Sequence, residues 1–346
     1  MVTIVWNAAG LSRSMSGIER LAVAYTRHLT EKDPEAKQVF IAESQYEWLD
    51  HIASSVEVRL VPHLPGTVLA PRWSGRLGNA AWHSWANPLV PRLRIRRQYS
   101  FTIHDWTPFE PGTMLARHRA LWQAAILLNV QEAGAVHLTT AGLLDAAPRW
   151  LVPVLERNTL LVGGDVPTLA VGQARASAGE RYALAVGTMI PRKRFRETIE
   201  IWNHLPSAPV PRLLFVGRGT EELGEGPRHR GLGFVDDASL AALLASASLL
   251  VSLSDAEGLN LPAREALRAG VPVVGRCGSL GPLVGRPAVF VLDEMSWANK
   301  AAAANEMVAL VRQALAVTAS PQAYVGDGDA LCDHLLRVAT RKGGTE

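Results

Sequence analysis

The feature that most limits the possible folds is an alternation, along most of the chain, of short apolar runs with stretches of helical periodicity. "VTIVW" (2–6), "QVFIA" (38–42) and "EVRLV" (57–61) have the length and composition of strands. Between the first two, Ile18, Leu21, Ala22, Tyr25 and Leu29 fall on one helical face, and Ser16 and Glu19 have the spacing of a capping box. A second series follows in "RYALAVGT" (181–188), "RLLFVGRG" (212–219), "SLLVSLS" (248–254) and "VPVVG" (271–275). Strands that alternate with helices argue for βα units and parallel sheets. The chain has 346 residues, enough for two domains that each bury a core. The Gly-, Ala- and Ser-rich segment 162–180 separates the series and reads as a linker. The expectation is two α/β domains of similar size with a cleft between them, a last helix over about Asp329 to Arg341, and a polar tail.

Composition narrows the class of protein. The chain contains no apolar run of about eighteen residues, the length a membrane span needs. Its first residues lack the basic and long apolar segments of a signal peptide, so cytoplasmic residence is the expectation. Two cysteines, Cys277 and Cys332, exclude a disulfide scaffold or a cysteine-rich zinc site. The net charge of +3 is mild; nucleotides, phospholipids and nucleic acid all remain partners it would tolerate.

Eight of the ten tryptophans lie at or before Trp150. The segment 72–97 interleaves Trp73, Trp82 and Trp85 with Arg72, Arg76, Arg92, Arg94, Arg96 and Arg97. One reading is peripheral docking on an anionic membrane or a lipid-linked substrate. The other is an irregular loop with solvated arginines and partly buried indoles.

The chemistry concentrates in "SDAEGLNLPAREALRAGVPVV" (254–274), where Glu257 and Glu265 stand on either side of seven residues. A strand ends near Ser254, Pro262 suits the first turn of a helix, and Gly270 stops that helix. Glu257 is thereby expected at the carboxyl end of a parallel strand, where open α/β sheets bind ligands. The amides of Gly258, Leu259, Asn260 and Leu261 would open the helix and offer N–H groups to an anion. Glu265, one turn in, could reach hydroxyls of the same ligand, whereas Glu265 with Arg268 could equally be a surface ion pair. In "AVGTMIPRKRF", Arg192 and Lys193 follow another strand, a position from which two cations can neutralise a diphosphate; a solvated charge run is the plain alternative. "LLFVGRG" ends in Gly217 and Gly219, where backbone could approach a ligand. Asp236 and Asp237 read as a helix cap, and Asp327-Gly328-Asp329 as a turn and cap, so no metal is expected.

"VGTMIPRK", "LLFVGRG", the stretch from "GFVDDASLAALL" to "GVPVV" and, earlier, "TIHDWTPFEPG" together resemble the retaining GT-B glycosyltransferases of the E-x7-E family, glycosyltransferase family 4. Among them, the mannosyltransferase-type members of bacterial surface-polysaccharide synthesis are the most similar. The resemblance implies two Rossmann-like domains with parallel sheets facing a central cleft. Residues 1–172 would bind the acceptor and 173–325 the nucleotide sugar, while 326–346 would return a helix to the first domain. It also implies roles for matching residues. Arg192 and Lys193 would hold the donor diphosphate, and residues 258–261 would supply amides to its phosphate and sugar. Glu265 would bind the ribose, Glu257 the transferred sugar, and residues 233–235, Phe234 among them, the base. Gly17 would let a loop approach the donor phosphate. His104, helped by Asp105, would stand at the junction of sugar and acceptor; without the resemblance, a structural histidine is the simpler reading.

Four positions depart from the family pattern. "EGLNLP" puts Asn260 in place of a glycine, Ser16-Gly17 replaces a glycine pair, Thr188 replaces an arginine, and "GSLGPLV" (278–284) lacks a proline–glutamate pair. Asn260 could thus help choose the sugar. The reaction implied is metal-independent, cofactor-free transfer with retained configuration, from a GDP- or UDP-sugar to a glycan or lipid-linked glycan hydroxyl. An epimerase, a phosphorylase or an inactive nucleotide-binding subunit would share the architecture. The arginine-rich segment contains no nucleic-acid recognition module.

Overall fold

The computed structural model describes residues 2–8, 11, 17–42, 44–60, 80–85, 98–106, 109, 116–140, 142–163, 181–317 and 329–340. The chain divides into two compact units, Met1–Thr168 with Val325–Glu346, and Leu169–Tyr324.

In the first unit β1 (Thr3–Asn7), β2 (Lys37–Ala42), β3 (Glu57–Leu60), β4 (Ala81–Ser84), β5 (Tyr99–Ile103), β6 (Ala135–Leu138) and β7 (Thr159–Val162) form one sheet in the order β3-β2-β1-β4-β5-β6-β7. Every pairing is parallel, with Val5 opposite both Val39 and Trp82. Strand alternation divides the sheet's two faces. Trp82, Tyr99, Phe101, Val136 and Leu138 point into an apolar core with Ile126 and Val130 of α2 (Ala116–Glu132). The intervening His83, Ser100, Thr102 and His137 are buried on the other face, beside Tyr25 of α1 (Gly17–Lys32).

The second unit repeats the plan with β8 (Tyr182–Val186), β9 (Arg212–Val216), β10 (His229–Gly231), β11 (Leu249–Ser252), β12 (Val273–Arg276) and β13 (Val289–Leu292), ordered β10-β9-β8-β11-β12-β13. All of these pairs are parallel too. α3 (Phe195–Asn203), α4 (Asp237–Ser246), α5 (Leu261–Ala269) and α6 (Lys300–Ala316) flank it. Ala183 and Ala185 face one core with Phe215 and Met307, whereas Leu184 faces the other with Leu244 and Leu267. Burial on both faces explains why these strands read as continuous apolar runs. α7 (Asp329–Thr340) packs on β1, β4, β7 and α1 of the first unit.

β8 and β9 stop at Val186 and Val216, each just before a glycine. A Cβ on Gly217 would come within 2.2 Å of the Gly187 carbonyl oxygen, so the ends of β8 and β9 meet backbone to backbone. Gly217 is explained by this approach without any ligand. The indoles read as candidates for membrane docking need correction as well. Trp82 and Trp85 are 1% and 0% exposed, held in the first sheet's interior, and cannot reach a headgroup region. Their arginine neighbours and Trp73 lie outside the described residues. Ser16 of the expected capping box and the linker from 164 to 180 also lie outside them. No helix among the described residues is long and apolar enough to cross a membrane.

Candidate donor site

In the second sheet, succession runs outward in both directions from β8: β9 and β10 lie to one side, β11 to β13 to the other. The loops leaving β8 and β11 therefore diverge at a topological switch point, where such sheets form a ligand crevice. Arg192 and Lys193 occupy the first of these loops and Glu257 the second.

The two loops are tied together. Lys193 Nζ donates to Glu257 Oε1 at 2.7 Å, and Arg192 Nη1 stands 3.1 Å from Oε2. Arg192 also donates through Nη1 to the Ala256 carbonyl, while its own carbonyl accepts from the Asp255 amide at 3.0 Å. The Lys193 stem lies over Gly187, where a Cβ would fall 2.6 Å from Lys193 Cε. Burial alone would raise the Glu257 pKa, but the Lys193 and Arg192 charges outweigh it and hold the carboxyl below its ordinary range. The result is an ionised cluster of two cations and one carboxylate, largely enclosed, at a strand-end crevice. The solvated charge run is thus the wrong reading for Arg192 and Lys193.

α5 opens as expected, with Pro262 in its first turn and Gly270 at its end with φ +80°. Among the described residues no acceptor takes the amide hydrogens of Gly258, Leu259 or Leu261. Asn260 departs from expectation. It is 7% exposed, with its side chain turned inward. Nδ2 donates to Ser279 O at 2.8 Å and Ser252 Oγ at 3.1 Å, and Oδ1 caps the Ala263 amide at 3.4 Å. Its φ of +47° is the left-handed conformation that asparagine tolerates better than most side chains. Asn260 thus satisfies the glycine-like backbone and spends its amide on the protein, which removes the basis for reading it as a sugar selector. Glu265 is wholly buried, so the reading of Glu265 with Arg268 as a solvated surface pair fails. Phe234 is 58% exposed beside Gly233, whose amide donates to Thr220 Oγ1 at 3.0 Å.

The sequence reading missed the residues that surround this cluster. Arg194 Nε donates to both Asp255 oxygens at 2.9 and 2.8 Å. Arg276 Nη1 donates to Asp255 Oδ1 at 3.0 Å and Nη2 to Glu294 Oε2 at 2.5 Å, with its guanidinium 4.4 Å from the Trp297 ring centre. The one available signal was Arg276 itself, a charged residue closing an apolar strand run.

Gly17, His104 and Asp105 belong to the first unit. Gly17 is the exposed first residue of α1. His104 follows β5, with Nε2 2.6 Å from the Trp85 carbonyl oxygen. A carbonyl only accepts, so Nε2 carries the proton and Nδ1 keeps the lone pair. Burial lowers the His104 pKa despite that bond and the Asp105 charge, leaving a neutral imidazole. Asp105 is partly buried beside it.

Two wholly parallel α/β sheets, the second with cations and a glutamate at its switch point, give the class: this is the fold of the GT-B glycosyltransferases. Residues 180–312, within the second unit, match the family described as glycosyl transferases group 1. The chain is also similar to the O-antigen chain mannosyltransferase B of Escherichia coli, 38% identical over 118 residues, a match covering 31% of each chain. The similarity thus spans under a third of that relative's length. Among solved structures, Anabaena HepE in complex with UDP and glucose superposes with a TM-score of 0.68 at 16% identity, covering 98% of this chain and 97% of the other. WaaG, a glycosyltransferase involved in lipopolysaccharide biosynthesis, gives 0.60 at 13%, covering 99% and 96%.

Proposed function

We propose that the chain is a retaining hexosyltransferase that moves a sugar from a nucleotide-diphosphate donor to a hydroxyl of a glycan or lipid-linked glycan. We place this reaction in the synthesis of cell-surface polysaccharide, on the cytoplasmic side of the membrane. The observation that carries the reading is the Arg192–Lys193–Glu257 cluster at the second sheet's switch point. The relative's printed name supports mannose and the HepE complex supports UDP, so both GDP-mannose and UDP-hexoses belong in the assay.

In this reading, Arg192, Lys193 and the amides at the start of α5 neutralise the donor diphosphate. The bond between the anomeric carbon and the phosphate oxygen breaks as the acceptor oxygen bonds to the same face. The acceptor's proton passes to the departing phosphate oxygen. Charge grows on that oxygen, and cations already fixed in a water-poor site stabilise it without reorganising. Glu257 orients the sugar and offsets positive charge at its anomeric carbon. Neutral His104, with Asp105, contacts the sugar at the acceptor side, Glu265 the ribose and Phe234 the base. No metal or cofactor takes part.

Incubation of donor with acceptor, with phosphate and alone tests the reading. Product whose formation requires the acceptor supports it. Epimerised donor, a sugar phosphate formed only with phosphate, or nucleotide binding without turnover would each replace it with one of the rival activities.

A further inference from the structure

Asp255 stands two residues before Glu257, and both its amide and its carboxylate are engaged. Its amide donates to the Arg192 carbonyl at 3.0 Å, and its carboxylate accepts from Arg194 and Arg276. Its carbonyl oxygen occupies the place a side chain at 278 would need, 2.2 Å from a Cβ built there. The loops after β8, β11 and β12 thus meet at this one residue.

Arg276 is anchored in turn. It is 8% exposed, donates through Nε to Glu294 Oε2 at 3.1 Å and through Nη1 to Leu253 O at 3.4 Å, and lies over Trp297. Partly buried ion pairs of this kind contribute little net stability, because desolvation offsets the Coulomb attraction. What a bidentate guanidinium does supply is a fixed separation and angle. Arg276 gives two nitrogens to Glu294 and one to Asp255, which anchors the β11 loop. Arg194, whose Nε meets both Asp255 oxygens, and the Arg192 carbonyl join that loop to the loop of Arg192 and Lys193.

We propose that Asp255 and Arg276 are positioning residues for diphosphate recognition: Asp255 joins the β8 and β11 loops so that Arg192 and Lys193 converge on one anion, and Arg276 holds Asp255 in place. The inference rests on the nucleotide-sugar reading above. Neither residue touches the donor; both act through the loops that Asp255 joins.

The test is calorimetric titration of UDP, GDP, UMP and GMP into the parent, Asp255→Asn and Arg276→Met, with thermal unfolding as a check on folding. For whichever diphosphate binds the parent, each variant loses roughly tenfold or more in affinity, about what one charge-assisted hydrogen bond confers. The matching monophosphate, which engages fewer of the cation donors, changes by no more than about threefold. Arg276→Lys, which keeps the charge but not the fork, falls between parent and Arg276→Met. Arg212→Ala, which breaks the Arg212–Glu225 pair, alters neither affinity. Parallel loss of both ligands in folded variants, or no loss of either, overturns the positioning role. A parent that binds no nucleoside diphosphate overturns the nucleotide-sugar reading beneath it. Should Arg276→Met fail to fold, Asp255→Asn decides, since its side chain is 37% exposed and its replacement isosteric.

Discussion

Glu257 takes one cation on each oxygen, so any anion recruiting Arg192 and Lys193 must share them with it. Glu257→Gln removes that competing charge and keeps the shape. It is expected to bind UDP or GDP at least as tightly as the parent, while sugar transfer slows roughly a hundredfold through loss of a positioned charge. Weaker nucleotide binding, read by calorimetry, contradicts the arrangement. Asn260 separates a structural residue from a selective one. Asn260→Ala loses the side chain's hydrogen bonds and adds left-handed strain, about 2 kcal/mol together, whereas Asn260→Gly avoids the strain and loses about 1 kcal/mol. Urea unfolding measures both. Neither change alters which sugar nucleotide is used; an altered donor preference would restore Asn260 as a selector.

Among the elements, the first sheet's polar face has a consequence for acid stability. His83 Nδ1 meets Ser100 Oγ and Nε2 meets Thr102 Oγ1, both at 2.8 Å; Thr102 Oγ1 meets His137 Nδ1 at 2.9 Å. His137 Nε2 then lies 3.4 Å from the Tyr25 hydroxyl. Burial lowers the His137 pKa to about 3, and holds His83 well below its ordinary value, reinforced by the neighbouring His137, His104 and His334. The unfolded chain protonates these rings near pH 6.5, so the stability gained by keeping them neutral is complete above that pH. It is lost as pH falls toward the folded values, by about 1.4 kcal/mol per unit for each ring. Between pH 7 and 5 the parent should lose thermal stability more steeply than His137→Gln or His83→Asn. Equal slopes would mean the ladder is not the source. This ladder was hidden in the sequence because His83, Ser100, Thr102 and His137 are far apart and only strand register aligns them.

At the scale of the whole molecule, the two-sheet architecture was legible because short apolar runs alternate with period-3.6 stretches along most of the chain. The strand-end placement of Arg192, Lys193 and Glu257 followed from the same alternation. Their pairing did not: Lys193 and Glu257 are 64 residues apart, and only the adjacency of β8 and β11 joins them. Exposure was the least legible quantity, since Trp82 and Trp85 sit in the core although arginines surround them in sequence. Asn260 was misread for a related reason, because a polar residue in a ligand loop can turn inward as readily as outward. The central claim is that Arg192 and Lys193 receive a diphosphate. Its most direct test is titration of UDP and GDP into the parent and Lys193→Ala, with thermal unfolding in parallel. The account predicts saturable binding to the parent and a loss of roughly tenfold or more in the variant at near-parent stability, about one charge-assisted contact. Equal affinity in the two proteins would contradict it.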